Sequence, residues 1–478
     1  MNFVWPKLKS NMILLLALLY SVVIISTIYN EASFGLMLVL LLWLYLFILA
    51  VNNIKRSIGL FCFLIAFFVF LLGREICFQY LSVEVYYKYL EKENAFTYVC
   101  LGVSLIGIFI GTNLKSVKNK RVSKIEENVS SQNIQRVTEY LFIFCYIFLV
   151  ISVLSQIILV RRIGYLASYT DEAVSNVPGF VNYIAAFTPV IFCIFLATCP
   201  TKKRALLPMG MYEIYAVLTV FTGKRYPFIA ISMLILIYMT IRNRSEKGWI
   251  NKKLIYLLII SLPVLLVFMA AYDSIRIGEA FKFTNLKSTI IDFFDSQGGS
   301  VNVIKRVKYY ENDLKDLFFT SFENTRTALF SNVIMRRLTG ATVYYGNSIE
   351  RAMKGNSLMH RLSYYSYGNA YLAGRGVGSC YIAELYHDFG YLGILLGSIF
   401  YGWLIQKISN LKFSHYIRDG ILLATMYYLL LAPRGNFDGF VGGIFSLYSI
   451  LGIFTTYIIV KLVDQKQKRK RKRYSTTL

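Results

Sequence analysis

Residues 137–160 read VTEYLFIFCYIFLVISVLSQIILV, and Glu139 is the one charged side chain in the run. About 20 consecutive apolar residues are what a helix needs to cross the hydrocarbon core of a bilayer. In lipid no water pairs with the backbone, so a span must satisfy its own N–H and C=O groups, which a helix does. The stretch therefore makes the fold class helical and membrane-spanning.

Further apolar runs lie on both sides, near 12–29, 34–51, 58–73, 95–113, 181–199, 205–221, 226–241, 254–272, 380–405, 420–433 and 441–460. Together they predict an all-α polytopic membrane protein with about 12 transmembrane helices. Composition agrees. Of 478 residues, 56% are hydrophobic and 16% charged, with mean hydropathy +0.53, against about 25% charged in ordinary soluble proteins. The run at 12–29 follows Lys7 and Lys9, is long for a signal-peptide core and lacks a small-residue cleavage site. It reads as a span.

Basic residues crowd one set of loops: Lys55 and Arg56, Lys115 to Lys124, Lys202 to Arg204, Arg242 to Lys253, and the tail Lys466 to Arg473. By the positive-inside rule that side is cytoplasmic, and both termini lie there. Topology thus accounts for most of the net charge of +25, and a nucleic-acid partner is not expected. The tail KQKRKRKR suits anionic membrane lipids. The predicted organisation is 1–271 for the first nine helices, 272–379 for one large extracytoplasmic loop, 380–460 for the last three helices, and 461–478 for the basic tail. Within the loop, Phe318 to Leu338 reads as an amphipathic helix.

Seven cysteines sit mostly in or beside apolar runs without a CxxC pair, so they read as small apolar side chains. The sequence contains no GxxxxGK[ST] phosphate loop, no HExxH and no GxSxG. His360, His387 and His415 have no metal-ligand spacing. Neither a cofactor nor a metal is expected.

Several arginines fall on the other side, where topology does not require them. Lys224 and Arg225 stand in the short TGKRYP connection, Arg276 in YDSIRIG, Arg375 between glycines in GRG, and Arg434 in APRGNF. Arg161 and Arg162 form a further pair. A guanidinium presents a planar fork that matches phosphate oxygens, and flanking glycines let the backbone approach a bulky anion. The competing reading is that each arginine anchors in the headgroup region or pairs with a local acid. In GRGVGSCYIAELYHDFGYLG, 374–393, Glu384, His387 and Asp388 follow at i, i+3 and i+4 on one helix face. A carboxylate at that interface is a candidate general base. The competing reading is a structural pair between Glu384 and Arg375. Gly390, Gly393 and Gly397 read as close helix packing. In IDFFDSQGGSVNVI, 291–304, Gln297 and Ser300 either bind sugar hydroxyls or cap a helix starting near Ser300.

TGKRYP at 222–227, FFDSQGGSVNVI at 293–304 and 374–393, with the large loop before the last spans, resemble the Wzy-type O-antigen and capsule polysaccharide polymerases. The resemblance implies a GT-C type glycosyltransferase in the bacterial cytoplasmic (inner) membrane. Its substrates would be oligosaccharide repeat units on undecaprenyl pyrophosphate. The growing chain would pass from its carrier to the distal sugar of a fresh lipid-linked unit. A flippase and a chain-length regulator are the implied partners. Arg225, Arg375 and Arg434, then Lys224 and Arg276, are expected to hold pyrophosphate, with Gln297 and Ser300 on the substrate. Glu384 is the first choice of base, with His387 and Asp388 behind it. The related ligases are thought to use a histidine in the large outer loop, where this chain has His360. The rival readings are an O-antigen ligase with lipid A core as acceptor, and a flippase or exporter of the same lipid-linked sugars.

Overall fold

The computed structural model describes residues 32–81, 87–114, 129–170, 177–251, 253, 256, 286–331, 333–340 and 342–475. The runs at 12–29 and 254–272, and Arg276, lie outside these residues. Among the described residues every regular element is a helix. Seven helices are long and apolar enough to cross a membrane: Phe34–Asn52, Ile54–Tyr80, Lys88–Asn113, Gln132–Ile163, Gly179–Ala197, Tyr226–Ser245 and Tyr381–Ser409. Three more expected runs are helical without meeting that measure. Lys202–Val220 carries Lys202, Lys203, Arg204 and Glu213; Tyr416–Leu431 has 16 residues; Leu447–Val463 is a shorter apolar stretch.

The run that decided the fold lies inside a 35-residue helix, Val129–Ile163. At 1.5 Å per residue it is about 52 Å long, well beyond a hydrocarbon core of about 30 Å. Tyr140, Phe144, Ile147, Ile151, Leu154 and Ile158 form an exposed apolar stripe along it. Those positions recur every three or four residues, the period of one helix face. Phe142, Cys145 and Leu149 on the other face are buried.

The closest helix pair joins Asn94–Asn113 to Tyr381–Ser409. Gly107 faces Ser398 and the Leu395 carbonyl, Gly111 faces the Ile399 carbonyl, and Gly402 faces the Ile108 carbonyl. At such contacts a side chain has no room, which is how small residues bring membrane helices together. Ser398 Oγ donates to Ser104 Oγ at 3.2 Å, and Ser104 also meets the Tyr381 hydroxyl at 2.5 Å.

Tyr381–Ser409 is broken at Gly390, with φ 62° and ψ −153°. That region is open to glycine alone. The chain turns there, so that Gly393 packs on the Leu385 carbonyl and Gly397 on the Leu385 side chain. Glu384, His387 and Asp388 therefore lie on a short arm, and the membrane-length segment follows the break.

Between 286 and 372 the chain forms short helices, the longest being Leu286–Gln297 at 12 residues. Two local expectations change here. Gly298–Ser300 is a 3-10 turn that carries Leu286–Gln297 on into Val301–Tyr309, so Ser300 sits in helical backbone and its side chain caps nothing. Phe318 to Leu338 is split into Thr320–Phe322, Glu323–Phe330 and Val333–Thr339. Phe319 takes a left-handed φ of 47° ahead of the first piece. Asp388 accepts from the backbone N–H of Thr320 at 3.0 Å and of Ser321 at 2.7 Å, which fixes that start.

Two ends of the bundle differ chemically. At one, Arg244 donates to the Ser409 carbonyl at 2.6 Å, Asn410 to the Arg56 carbonyl at 3.2 Å, and Lys202 to the Gly248 carbonyl at 2.6 Å. The basic loops thus gather there. Tyr226–Ser245 starts about 30 Å away along its own axis, directly after TGKRYP.

Candidate functional site

Pro227 stands in the first turn of Tyr226–Ser245, where its missing N–H is no loss. TGKRYP is therefore a tight corner, with Gly223 at φ +86° pressed against the Tyr165 ring. Arg225 is buried, 4% exposed. Burial pushes the Lys224 ammonium below its ordinary range. Gly374, at φ +100°, packs on the Leu166 carbonyl. Adjacent residues 165 and 166 thus bring the first motif and the GRG segment together.

Arg375 is exposed, and its guanidinium stands 4.7 Å from the Tyr367 ring. Its carbonyl accepts from Asn347 Nδ2 at 3.3 Å, and the same amide donates to the Tyr371 carbonyl at 2.9 Å. Arg434 reaches the FFDSQGGSVNVI motif: its Nη1 donates to Gln297 Oε1 at 3.0 Å, and its guanidinium lies 5.6 Å from the Phe70 ring. Tyr226, next to Arg225, lies within reach of the Arg434 charge. Gln297 is almost fully buried, and Gly298 beside it packs on Arg74. Arg74 is paired with Asp295 at 2.9 Å. Arg434 and Gln297 therefore form one polar contact with Tyr226 of TGKRYP near it, and the 165–166 segment brings the backbone before Arg375 up to the same corner.

Glu384 has no exposed surface. Its Oε1 accepts from Ser379 Oγ at 2.5 Å and Asn436 Nδ2 at 2.7 Å, and its Oε2 from the Phe437 N–H at 2.8 Å. These partners, and not Arg375, take up the carboxylate. They tie it to the turn that carries Arg434. Asp438, in the same turn, accepts from the Asn324 and Thr325 N–H groups at 3.2 and 2.6 Å.

Asp388 accepts from Thr320 and Ser321, backbone and hydroxyl alike, with Ser321 Oγ at 2.5 Å. His387 is 2.9 Å from Asp388 through Nδ1 and 3.1 Å from the Leu314 carbonyl through Nε2. Together they hold the 314–321 segment. His360 is buried, with Nδ1 2.9 Å from the Tyr371 hydroxyl and Nε2 without a hydrogen-bond partner among the described residues. Burial, and the Arg351 charge after it, lower its pKa to about 3. Ser300 is buried. Among the described residues no group of three His, Cys, Asp or Glu side chains is placed to hold a metal ion.

Reading the sequence missed five residues in three places. Arg74 and Glu75 directly follow the apolar run 58–73 and lie within the helix Ile54–Tyr80, and charges so placed were the available signal. Glu75 pairs with Lys305 Nζ at 2.7 Å and accepts from the Tyr98 hydroxyl at 2.8 Å. Arg306 follows Lys305 in NVIKRVKYY, directly after FFDSQGGSVNVI. Asn436 lies within APRGNF, and Asp438 directly follows it.

The O-antigen polysaccharide polymerase Wzy family model matches residues 11–467. No curated protein and no solved structure matches the chain.

Proposed function

The chain belongs to the O-antigen polysaccharide polymerase Wzy family, and on that premise we propose how it works. It transfers a growing glycan from undecaprenyl pyrophosphate to the distal sugar of another lipid-linked repeat unit. The reaction takes place on the outer face of the bacterial cytoplasmic membrane, with both termini cytoplasmic and about 12 spans. A flippase supplies the units and a chain-length regulator acts beside it. No metal or cofactor takes part.

The observation that carries this reading is the Arg434–Gln297 contact at 3.0 Å. It joins the APRGNF turn to the FFDSQGGS motif, with Tyr226 of TGKRYP alongside. When the bond from sugar to pyrophosphate breaks, negative charge grows on the leaving phosphate. Preorganised cations stabilise that charge without reorganising. Arg225, Arg375 and Arg434 have this role, supported by Lys224, and Arg276 is the next candidate. Gln297 orients Arg434, while Ser300 lies on the same helical rod. Holding two long lipid-linked substrates in line supplies much of the remaining rate.

Glu384 has a positioning role in this scheme. Three donors already occupy its carboxylate, and two of them belong to the turn that bears Arg434. The alternative role, proton acceptor from the attacking hydroxyl, has a distinct kinetic signature given below. His387 and Asp388 hold the 314–321 segment. His360 is the remaining candidate acceptor, through its Nε2.

The test is incubation of the pure protein in detergent with defined undecaprenyl-pyrophosphate-linked repeat units, read as a glycan ladder on a gel. A ladder of regular spacing is expected from lipid-linked units alone. Transfer only onto added lipid A core would make the protein a ligase, and no new glycosidic bond a transporter. Arg225→Ala, Arg375→Ala and Arg434→Ala should each abolish the ladder while the protein stays folded. Normal polymer from any of them removes that residue from the pyrophosphate site.

A further inference from the structure

Lys305 and Arg306 are neighbours on Val301–Tyr309, and both are buried. Lys305 is neutralised by Glu75 at 2.7 Å. Other cations nearby are neutralised too: Lys308 by Glu311 at 2.6 Å, Arg361 by Asp316 at 2.9 Å, and Arg74 by Asp295 at 2.9 Å. Arg306 is 2% exposed, and no carboxylate reaches it among the described residues. Its Nε and Nη2 have no hydrogen-bond partner there either. It is held by rings instead, with Tyr87 at 4.9 Å and Tyr367 at 5.6 Å. The Tyr367 ring also carries Arg375, at 4.7 Å. Two guanidinium groups therefore share one aromatic ring.

An aromatic path leads outward from this pair. Tyr87 meets Tyr89 at 6.2 Å, and Tyr89 meets Tyr309 at 5.0 Å. Tyr309 is 47% exposed, so the path opens at the surface. A buried cation without a counter-charge is costly to keep, and unmade hydrogen bonds add to that cost. A bound anion removes both. Tyrosine rings offer an apolar face with a polar edge, which suits a sugar ring with its C–H face and its rim of hydroxyls.

We propose that Arg306 and Arg375, with Tyr367, Tyr87, Tyr89 and Tyr309, form a sugar-phosphate subsite. The guanidinium groups take the phosphate, and the tyrosine path takes the saccharide attached to it. This rests on the reading of the protein as a polymerase of lipid-linked oligosaccharide. Gln297 and Arg306 lie nine residues apart on a nearly continuous helical rod, which is about 14 Å. The Arg306 end of the subsite therefore stands beside the Arg434–Gln297 contact, and Arg375 is the residue that the two sites share.

The test is equilibrium binding to full-length protein in detergent with two probes, geranyl pyrophosphate and geranyl-pyrophosphoryl-N-acetylglucosamine. Wild-type protein should bind the sugar-bearing probe at least tenfold more tightly. Tyr309→Ala, at an exposed position, should shrink that ratio to less than twofold. Arg306→Gln should weaken both probes at least tenfold, and Arg306→Lys should restore part of the loss. Size-exclusion profiles matching wild type establish that each variant is folded. Displacement of both probes by phosphatidylglycerol at equal concentration would make the site a phospholipid contact and overturn the proposal. A wild-type ratio near one, or an unchanged ratio in Tyr309→Ala, would overturn it as well. A protein that makes polymer but fails these binding tests loses only the subsite. One that passes them and makes no polymer loses only the polymerase reading.

Discussion

Glu384 and His360 show how burial divides residues that look alike in sequence. If Glu384 were the general base, Glu384→Gln would lower kcat by about 10²–10⁴ while leaving the Arg434 turn in place. Its three donors lead to a different expectation. Asn436→Ala should reproduce most of the loss seen in Glu384→Gln, because each removes part of one clasp. The measurement is polymer turnover in both variants, and a benign Asn436→Ala beside an inactive Glu384→Gln would make Glu384 the base. For His360 the prediction concerns pH. Its folded pKa of about 3 lies below the unfolded value of about 6.5. The neutral ring is favoured in the fold, so its contribution is complete above about pH 6.5. That contribution is lost as pH falls from 6.5 towards 3, since the unfolded chain takes up a proton first. His360→Gln should flatten the fall in thermal midpoint over that window, and an unchanged slope would count against the assignment.

At the scale of elements, Gly390 and the Glu75–Lys305 pair make separate claims. Gly390→Ala places a Cβ in a region of backbone almost reserved for glycine, at a cost of about 1–3 kcal/mol. The arm carrying Glu384 would be displaced with it, so loss of polymer should accompany a lowered midpoint. Glu75→Gln leaves Lys305 buried without its partner and should cost about 3–5 kcal/mol. Adding Lys305→Met should recover much of this, because replacing both partners removes the unpaired charge. If the double variant were no more stable than Glu75→Gln, the pair would not be the cause. These elements were unevenly legible in the sequence. The run 137–160 announced its helix because apolar length alone decides it. Gly393 and Gly397 announced close packing because their spacing puts them on one helix face. The break at Gly390 was hidden, since a glycine inside an apolar run gives no sign of its φ. The Gln-Gly-Gly-Ser segment misled in the opposite direction: glycines that permit a turn also tolerate continued helix. The convergence of Arg434 on Gln297 was invisible, because it joins residues 137 positions apart.

Across the whole molecule, the same long-range logic sets when the parts can meet. The helix Asn94–Asn113 finds its closest partner in Tyr381–Ser409, and the Ser104–Ser398 bond spans 294 residues. At about 5–20 residues per second, the ribosome needs about 15–60 s to deliver that partner. For that interval Gly107, Gly111 and Ser104 form a narrow slot with nothing in it. The nascent chain must therefore keep an early helix unsatisfied, beside the insertion machinery or against a temporary neighbour. A chain cut in the polar 116–128 stretch and expressed as two pieces should still assemble, since this contact forms late in any case. The two pieces should copurify, and Gly402→Leu should separate them. Close packing between distant glycines thus acts as a clock for biogenesis: the first third of the protein stays provisional until the last third has emerged.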